Sequence, residues 1–132
     1  MSASPLLSAV DAVTVPVPDL DAGIAFYRDR LGHPLLWRDD ERGQAGLELA
    51  TPGTELVLTT RHPYAPTWLV DSADGAAAAM TAAGGRTVVA PSDVPVGRLA
   101  VVADVFGNEL VLVDLSKGRY DTDPQGNVTG VR

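Results

Sequence analysis

Three glutamates and one tryptophan–arginine pair are the side chains of this sequence best suited to chemistry. Glu55 and Glu109 lie in two near-identical hexapeptides, "GTELVL" and "GNELVL", and Glu48 lies in the β-rich segment before the first of them. Carboxylates bind divalent cations or act as general acids and bases. Trp37 is followed directly by Arg38, a combination that suits a planar or anionic ligand.

Other candidate ligands and nucleophiles are sparse. His33 follows a glycine that ends a predicted helix, and His62 lies in a loop. Neither has a second histidine at metal-ligand spacing, so we expect both to be structural or exposed. The chain has no cysteine, which excludes thiolate metal sites and cysteine nucleophiles. The glycines form no phosphate-binding loop, and the serines lack a nearby histidine and aspartate.

The composition bounds the class of protein. A chain of 132 residues with 45% hydrophobic and 20% charged residues is typical of one globular domain, here residues 1–132. The net charge of −7 argues against a nucleic-acid partner. The start "MSASPLLSAV" lacks the features of a signal peptide, and no stretch is apolar enough to span a bilayer. We therefore expect a cytoplasmic protein without membrane contact.

The elements that position these side chains form a duplicated pattern. The segments at 17–32 and 70–85 each read as a capped helix that follows a strand and ends at glycine, with three further strands after it. Asp19 and Ser72 are the expected helix caps. We predict an α+β fold of two βαβββ modules, about 10–60 and 66–116, followed by a polar tail, 117–132, on the surface or against a partner subunit. The predicted strands are Ala12–Val17, Leu35–Arg38, Gly46–Ala50, Glu55–Thr60, Thr67–Val70, Thr87–Ala90, Leu99–Ala103 and Glu109–Asp114.

Alternation along "GLELATPGTELVL" predicts which side chains share a face. Pro52-Gly53 suits the centre of a type II turn, which places Glu48 opposite Val57 and diagonally from Glu55. The leucines then face the module's helix, and Trp68 faces the second helix. The register of Trp37 and Arg38 stays open. The opposite, concave face carries Glu48, Glu55, Val57, Glu109 and Val111.

The chain resembles a known family in two segments and in the spacing between them. The segments are "VTVPVPDLDAGIAFYRDRLG" and "VGRLAVVADVFGNELVLVDL". It resembles the glyoxalase/bleomycin-resistance/dioxygenase family, also called the vicinal oxygen chelate superfamily, over roughly residues 10–116. The resemblance implies paired modules that form a curved mixed sheet around a ligand cavity, with helices on the outer face, usually in a homodimer.

Metal-dependent members of this family place His or Gln early in the first strand of a module and Glu in its last strand. The matching positions here are Ala12 and Ala65 in the first strands, and Val57 and Val111 in the last. All four side chains are apolar and supply no donor atoms for a metal. The resemblance therefore predicts a member without the family's metal site and without a cofactor.

Our first hypothesis is a metal-free binder of a small organic molecule, as in drug sequestration or metabolite binding. Its expected ligand-binding residues are Trp37, Arg38, Glu48, Glu55, Val57, Glu109 and Val111. The alternative is an enzyme of this superfamily, a lyase, isomerase or dioxygenase, that uses displaced metal ligands or Glu48 as a general base. A third reading is an accessory module whose cavity is closed by its own side chains.

Overall fold

The structure is a computed structural model that describes residues 4–132. The described chain divides into two compact units. The first consists of residues 11–66 with 120–130, and the second consists of residues up to 10, 67–119 and 131–132. Each unit carries four strands of a mixed sheet and one helical segment, which confirms the predicted α+β class. Within residues 4–132, no helix is long and apolar enough to cross a membrane.

Module one supplies the first four strands of the chain. They are β1 (Ala9–Pro16), β2 (Leu35–Asp39), β3 (Gln44–Glu48) and β4 (Glu55–Thr59), in the sheet order β2-β3-β4-β1. β1 runs parallel to β4, and the other neighbours are antiparallel. Helix α1 (Leu20–Ile24) connects β1 to β2 and continues as a π-helical turn, Ala25–Arg30.

Module two repeats this arrangement. Its strands are β5 (Ala65–Leu69), β6 (Arg86–Val94), β7 (Gly97–Ala103) and β8 (Glu109–Asp114), in the order β5-β8-β7-β6, with helix α2 (Ala73–Ala82) after β5. β5 is parallel to β8, as β1 is to β4 in module one. The predicted strands are all present, and β8 has the predicted bounds.

Both helices begin at the residues that the sequence indicated. The Asp19 carboxylate accepts a hydrogen bond from the backbone N–H of Ala22 at 2.7 Å. The Ser72 hydroxyl accepts one from Gly75 at 3.0 Å. These bonds satisfy backbone donors that have no partner within a first helical turn. Gly32 ends the first helical segment with φ +85°, as its C-terminal position predicted.

Each helix covers one face of its own module's sheet. In module one, Leu20 and Ile24 pack with the fully buried Leu47 and Leu58. In module two, the alanines of α2 pack closely against β7 and β8, and Trp68 contacts this cluster as expected from its parity. We call the opposite face of each sheet its helix-free face.

The β3–β4 pairing differs from the predicted register by two residues. Gly46, not Glu48, is the partner of Val57, and Glu48 pairs directly with Glu55. The connection is a six-residue loop, so the predicted tight turn at Pro52-Gly53 is wrong. A slip of two leaves every side chain on its predicted face, because side-chain direction alternates with period two. The observed register instead places a glycine beneath the ring of Trp37.

The C-terminal tail forms an element of its own. Strands β9 (Tyr120–Thr122) and β10 (Val128–Val131) make a two-stranded sheet, which we call the C-terminal hairpin. Tyr120 and Val128 pack against Ala12, Trp37 and Val57. The tail expected on the surface or at a partner subunit therefore lies on the helix-free face of module one.

Candidate functional site

The helix-free face of module one is built around Trp37. Its side chain lies against Gly46, where no Cβ obstructs the ring, and it packs with Ala12 and Val57. The indole Nε1–H donates a hydrogen bond to Glu55 Oε1 at 2.7 Å. Trp37 is only 8% exposed. Three residues predicted to bind ligand, Trp37, Glu55 and Val57, are thus brought together on this face.

Tyr120 covers this group from the C-terminal hairpin. Its ring centroid lies 4.7 Å from that of Trp37, at an interplanar angle of 43°, within the range of favourable aromatic pairs. Burial raises the pKa of the Tyr120 phenol, and the negative charges of Asp39 and Glu55 raise it further, against the opposing charge of Arg42. The surroundings of this ring therefore disfavour a negative charge on the phenol oxygen.

Arg38 takes a different position from its neighbour Trp37. Its Nη1 donates to Asp21 Oδ1 at 2.8 Å, and its Nε donates to Asp40 Oδ1 at 2.8 Å. The hydrogen bonds with Asp40 and then Asp21 raise the pKa of Arg38 above its ordinary value. Because Arg38 is held by two carboxylates away from the indole, the expected joint tryptophan–arginine site does not form.

A groove of about 300 Å³ lies beside Arg38 in the same unit. Its lining combines side chains of the first helical segment with those of the hairpin turn. Two aliphatic side chains and one alanine form its apolar part. The lining residues are Asp21, Ile24, Ala25, Arg28, Asp29, Leu35, Arg38, Asp40, Gln125 and Asn127.

Glu48 lies at the end of β3 and not deep on the sheet face. It is half-buried, and its Cα partner on β4 is Glu55. The two carboxylates therefore start from directly opposed positions on one face, where like charges destabilise the pairing. The backbone carbonyl of Glu48 contacts His33 Nδ1 at 2.9 Å, which gives this histidine a structural contact.

Module two offers an apolar helix-free face. Val111 pairs with Val101 on one side and with Thr67 on the other. Its neighbours Leu110 and Leu112 pack towards α2, so alternation directs Val111 to the opposite face. Val111 and Val101 are both half-buried, and Glu109 is exposed at the start of β8. Val111 thus lies among aliphatic neighbours, with a carboxylate at the edge of the sheet.

The positions that the family resemblance assigns to metal ligands hold no donor atoms. Ala12 and Val57 are buried against Trp37, and Val111 lies beside Val101. No group of three His, Asp or Glu residues within residues 4–132 has an arrangement that could hold a metal ion. The side chains present do not fit the family's metal.

Asp114 is a buried carboxylate that the sequence reading did not single out. Although burial opposes ionisation, hydrogen bonds from the backbone N–H of Ala73, the Ser116 hydroxyl and the backbone N–H of Arg98 lower its pKa. The corresponding distances are 2.8, 2.7 and 2.9 Å. Because Ala73 begins α2, this carboxylate connects the last strand of module two to its helix. Its role is structural.

Gly46, Tyr120 and Val128 are the residues of the site that sequence reasoning missed. The available signal was a second copy of a D-x-x-G-N turn, at 104–108 and again at 123–127. In both copies the Asp accepts hydrogen bonds from two backbone N–H groups and from the Asn side chain. The first copy connects β7 to β8, so the second indicated another hairpin in the tail.

The chain is similar in sequence and in fold to known proteins. A sequence model of the glyoxalase/bleomycin resistance protein/dioxygenase superfamily matches residues 9–112. No curated protein gives a significant match. Among solved structures, methylmalonyl-CoA epimerase from Mycobacterium tuberculosis is 25% identical, with TM-score 0.61, over 86% of this chain and 92% of that one.

Two further solved structures show the same fold at lower identity. A Streptomyces coelicolor methylmalonyl-CoA epimerase variant in complex with 2-nitronate-propionyl-CoA is 24% identical, with TM-score 0.62, over 82% of this chain and 97% of that one. A variant of 4-hydroxymandelate synthase from the same organism is 18% identical, with TM-score 0.57, over 84% of this chain and 39% of that one.

Proposed function

We propose that this chain, which belongs to the glyoxalase/bleomycin resistance protein/dioxygenase superfamily, binds a small organic molecule without a metal ion. The observation that carries the proposal is the occupant of the family's ligand positions in module one. Ala12 and Val57 lie buried against the Trp37 ring, which is itself fixed by Glu55. A divalent cation requires converging oxygen, nitrogen or sulfur donors, and aliphatic side chains provide none.

The helix-free face of module two supports binding of an organic ligand. Val111, Val101 and Thr67 form a half-buried group on it, and Glu109 supplies a carboxylate at its edge. Apolar surface removed from water contributes about 25 cal/mol per Å². A ligand with an apolar body and a polar or cationic substituent fits both features, and the net charge of −7 favours a cation over an anion.

The test is a thermal-shift and calorimetric screen of organic compounds, with bleomycin among them, in the presence of EDTA. We expect saturable binding without added metal, weakened at least about five-fold by Val111→Thr, which keeps the side-chain shape but adds a hydroxyl. Val105→Thr is the matched control, because Val105 is 60% exposed at the β7–β8 turn. Binding that appears only after Ni²⁺, Zn²⁺ or Mn²⁺ is added would contradict the proposal.

A second candidate function is acid–base catalysis by Glu48. Glu48 and Glu55 oppose each other on one sheet face, and the solved relatives include methylmalonyl-CoA epimerases. In an epimerisation of this type, Glu48 takes a proton from one face of the carbon next to a carbonyl, and the C–H electron pair forms a C=C bond as the carbonyl π electrons move onto oxygen. When those electrons return, the carbon binds a proton from water on its opposite face, which inverts the centre. Glu55, through its bond to Trp37, is the more restrained of the two.

Deuterium exchange tests this candidate. With methylmalonyl-CoA as the probe in D₂O, the wild-type chain should incorporate deuterium next to the thioester carbonyl, and Glu48→Gln should not. Glu41→Gln serves as a control, because Glu41 is an exposed residue of the loop between β2 and β3. Exchange that persists in Glu48→Gln would rule out this role for Glu48.

The expected setting is the cytoplasm, and by likeness to the family we expect a homodimer. Light scattering at micromolar concentration measures the mass of the assembly directly. A value near twice the 13.8 kDa of one chain supports the dimer, and a value near 13.8 kDa refutes it.

A further inference from the structure

The C-terminal hairpin covers the Trp37 face of module one with side chains of this same chain. Tyr120 stacks on the indole at a centroid distance of 4.7 Å, and Val128 packs on the same cluster. The predicted ligand-binding residues Trp37 and Val57 are consequently only 8% and 6% exposed. A ligand that stacks on the Trp37 ring in the place of Tyr120 therefore requires the hairpin to move aside.

The backbone of the C-terminal hairpin meets module one at β2. Strands β9 and β10 pair with each other, outside the larger sheet. The backbone contacts of the hairpin turn with β2 centre on Arg38, whose N–H donates to Gly126 O at 2.8 Å and which forms an isolated bridge with Asn127. Beside this contact, the groove of about 300 Å³ separates Gln125 and Asn127 from the first helical segment.

The surface under Tyr120 has a definite chemical character. Ala12 and Val57 form an apolar floor, and the Trp37 ring provides an aromatic plane. The carboxylates of Asp39 and Glu55 act electrostatically on the phenol, and Arg42 supplies one opposing positive charge, so these three side chains leave the surroundings of the ring net negative. Aromatic planes and carboxylates together attract aromatic compounds that carry a positive charge, and they disfavour anions.

We propose that the C-terminal hairpin is a displaceable cover, and that the Trp37–Glu55–Val57 face beneath it binds an aromatic amine in the place now taken by Tyr120. This inference goes beyond the proposed binding on module two, because it names a separate site on module one, its ligand class and its regulation. The tyrosine ring acts as an internal competitor. The apparent affinity for the ligand equals the intrinsic affinity multiplied by the fraction of molecules in which the cover is open, so a closed cover weakens binding.

The absence of cysteine from the chain allows a direct measurement of cover opening. Val57→Cys places a thiol under Trp37, and Val102→Cys places one of the same volume in the module-two core, where Val102 is fully buried. With DTNB under native conditions, we expect the thiol at position 57 to react at least about ten-fold faster than that at 102, because local opening costs less than global unfolding. Equal reaction rates at positions 57 and 102 would overturn the proposal that the hairpin is a displaceable cover.

Tyr120→Ala and Tyr120→Phe, each added to Val57→Cys and to Val102→Cys, test whether Tyr120 is the closing contact. The alanine variant should accelerate labelling at position 57 at least five-fold and leave labelling at 102 unchanged. The phenylalanine variant retains the ring and should keep the original rate. Acceleration of both thiols by Tyr120→Ala would show general destabilisation and overturn the proposal.

Ligand class is tested with three probes of one shape on the full chain. They are tyramine, a phenol with an ammonium group, uncharged 4-ethylphenol and anionic 4-hydroxyphenylacetate. Tyramine should slow labelling at position 57 and bind Tyr120→Ala at least ten-fold more tightly than wild type. Failure of tyramine to protect the thiol, or equal protection by the anion, overturns the aromatic-amine site. These outcomes do not affect the proposed metal-free binding at Val111, which the Val111→Thr variant tests.

Discussion

The substitution Gly46→Ala tests the packing of Trp37 directly. A Cβ at position 46 would overlap the Nε1 and Cε2 atoms of the indole and lie 2.8 Å from Cδ1. The ring is rigid, so either it leaves as a body or the backbone shifts to make room for the methyl group. Its departure breaks the Nε1–Glu55 hydrogen bond and the stack on Tyr120. The whole helix-free face of module one therefore depends on the absence of one methyl group.

The expected loss of stability follows from these contacts. A hydrogen bond to a charged group contributes about 1.5–3 kcal/mol, and an aromatic pair contributes about 0.5–1.5 kcal/mol beyond its buried area. If the ring stays, overpacking costs about 1–3 kcal/mol. Because the side chain adopts the less costly arrangement, we expect the free energy of unfolding to fall by about 1–3 kcal/mol.

Urea unfolding followed by tryptophan fluorescence measures this change. Gly130→Ala is the matched control, since no atom lies within 4 Å of a Cβ at that position and its backbone does not require glycine. The control should change the free energy of unfolding by less than about 0.5 kcal/mol. If Gly46→Ala behaves like the control, the indole does not lie against Gly46 and the account of this face is refuted.

Two further predictions concern titratable groups. Asp114→Asn should lower the free energy of unfolding by about 2–3 kcal/mol at neutral pH, because the amide leaves a buried backbone N–H without an acceptor; Asp74→Asn, at an exposed site, is the control. Since the folded-state pKa of Asp114 is lowered, its contribution is present above pH 3.8 and is lost below it, so the difference should shrink in acid urea titrations; a constant difference contradicts this. Tyr120 has a raised pKa, so its contribution is present below pH 10 and is lost as the pH rises further, and one phenol should ionise late in the alkaline absorbance change at 295 nm. Tyr120→Phe should remove that late component, and its persistence would assign it to another tyrosine.

The duplicated architecture was predictable because its signals are local. Asp19 and Ser72 cap the helices through their own backbone neighbours, and Gly32 adopts the positive φ that a helix end requires. Alternation assigned Leu47, Leu58 and their neighbours to the helix side of the sheet. These features depend on the spacing of residues within a single helix or strand, and this spacing can be read from the sequence.

The register of β3 against β4 was not predictable by the same means. Pairing Val57 with Glu48 or with Gly46 buries the same leucines, because both registers keep the parity of every side chain. What distinguishes them is the fit of the Trp37 ring against Gly46, and this contact arises between strands. The prediction of Glu48 deep on the face was wrong for this reason.

The role of the tail was not predicted because segment 117–132 was judged by its polar composition and not by the turn motif that it contains. The polar segment 117–132 contains a D-x-x-G-N turn like the one before β8, and this repeat indicated a hairpin. The destination of Tyr120 and Val128 could not be read from the repeat. It is set by contacts with Trp37, more than 80 residues earlier in the chain.

Metal analysis of the native protein tests whether the chain carries a bound transition-metal ion. The chain should be expressed without an affinity tag, purified without chelator and measured by inductively coupled plasma mass spectrometry against protein concentration. Because Ala12, Val57 and Val111 offer no donor atoms, the account predicts far less than one transition-metal ion per chain. Nickel, zinc, manganese or iron at close to one ion per chain would contradict it.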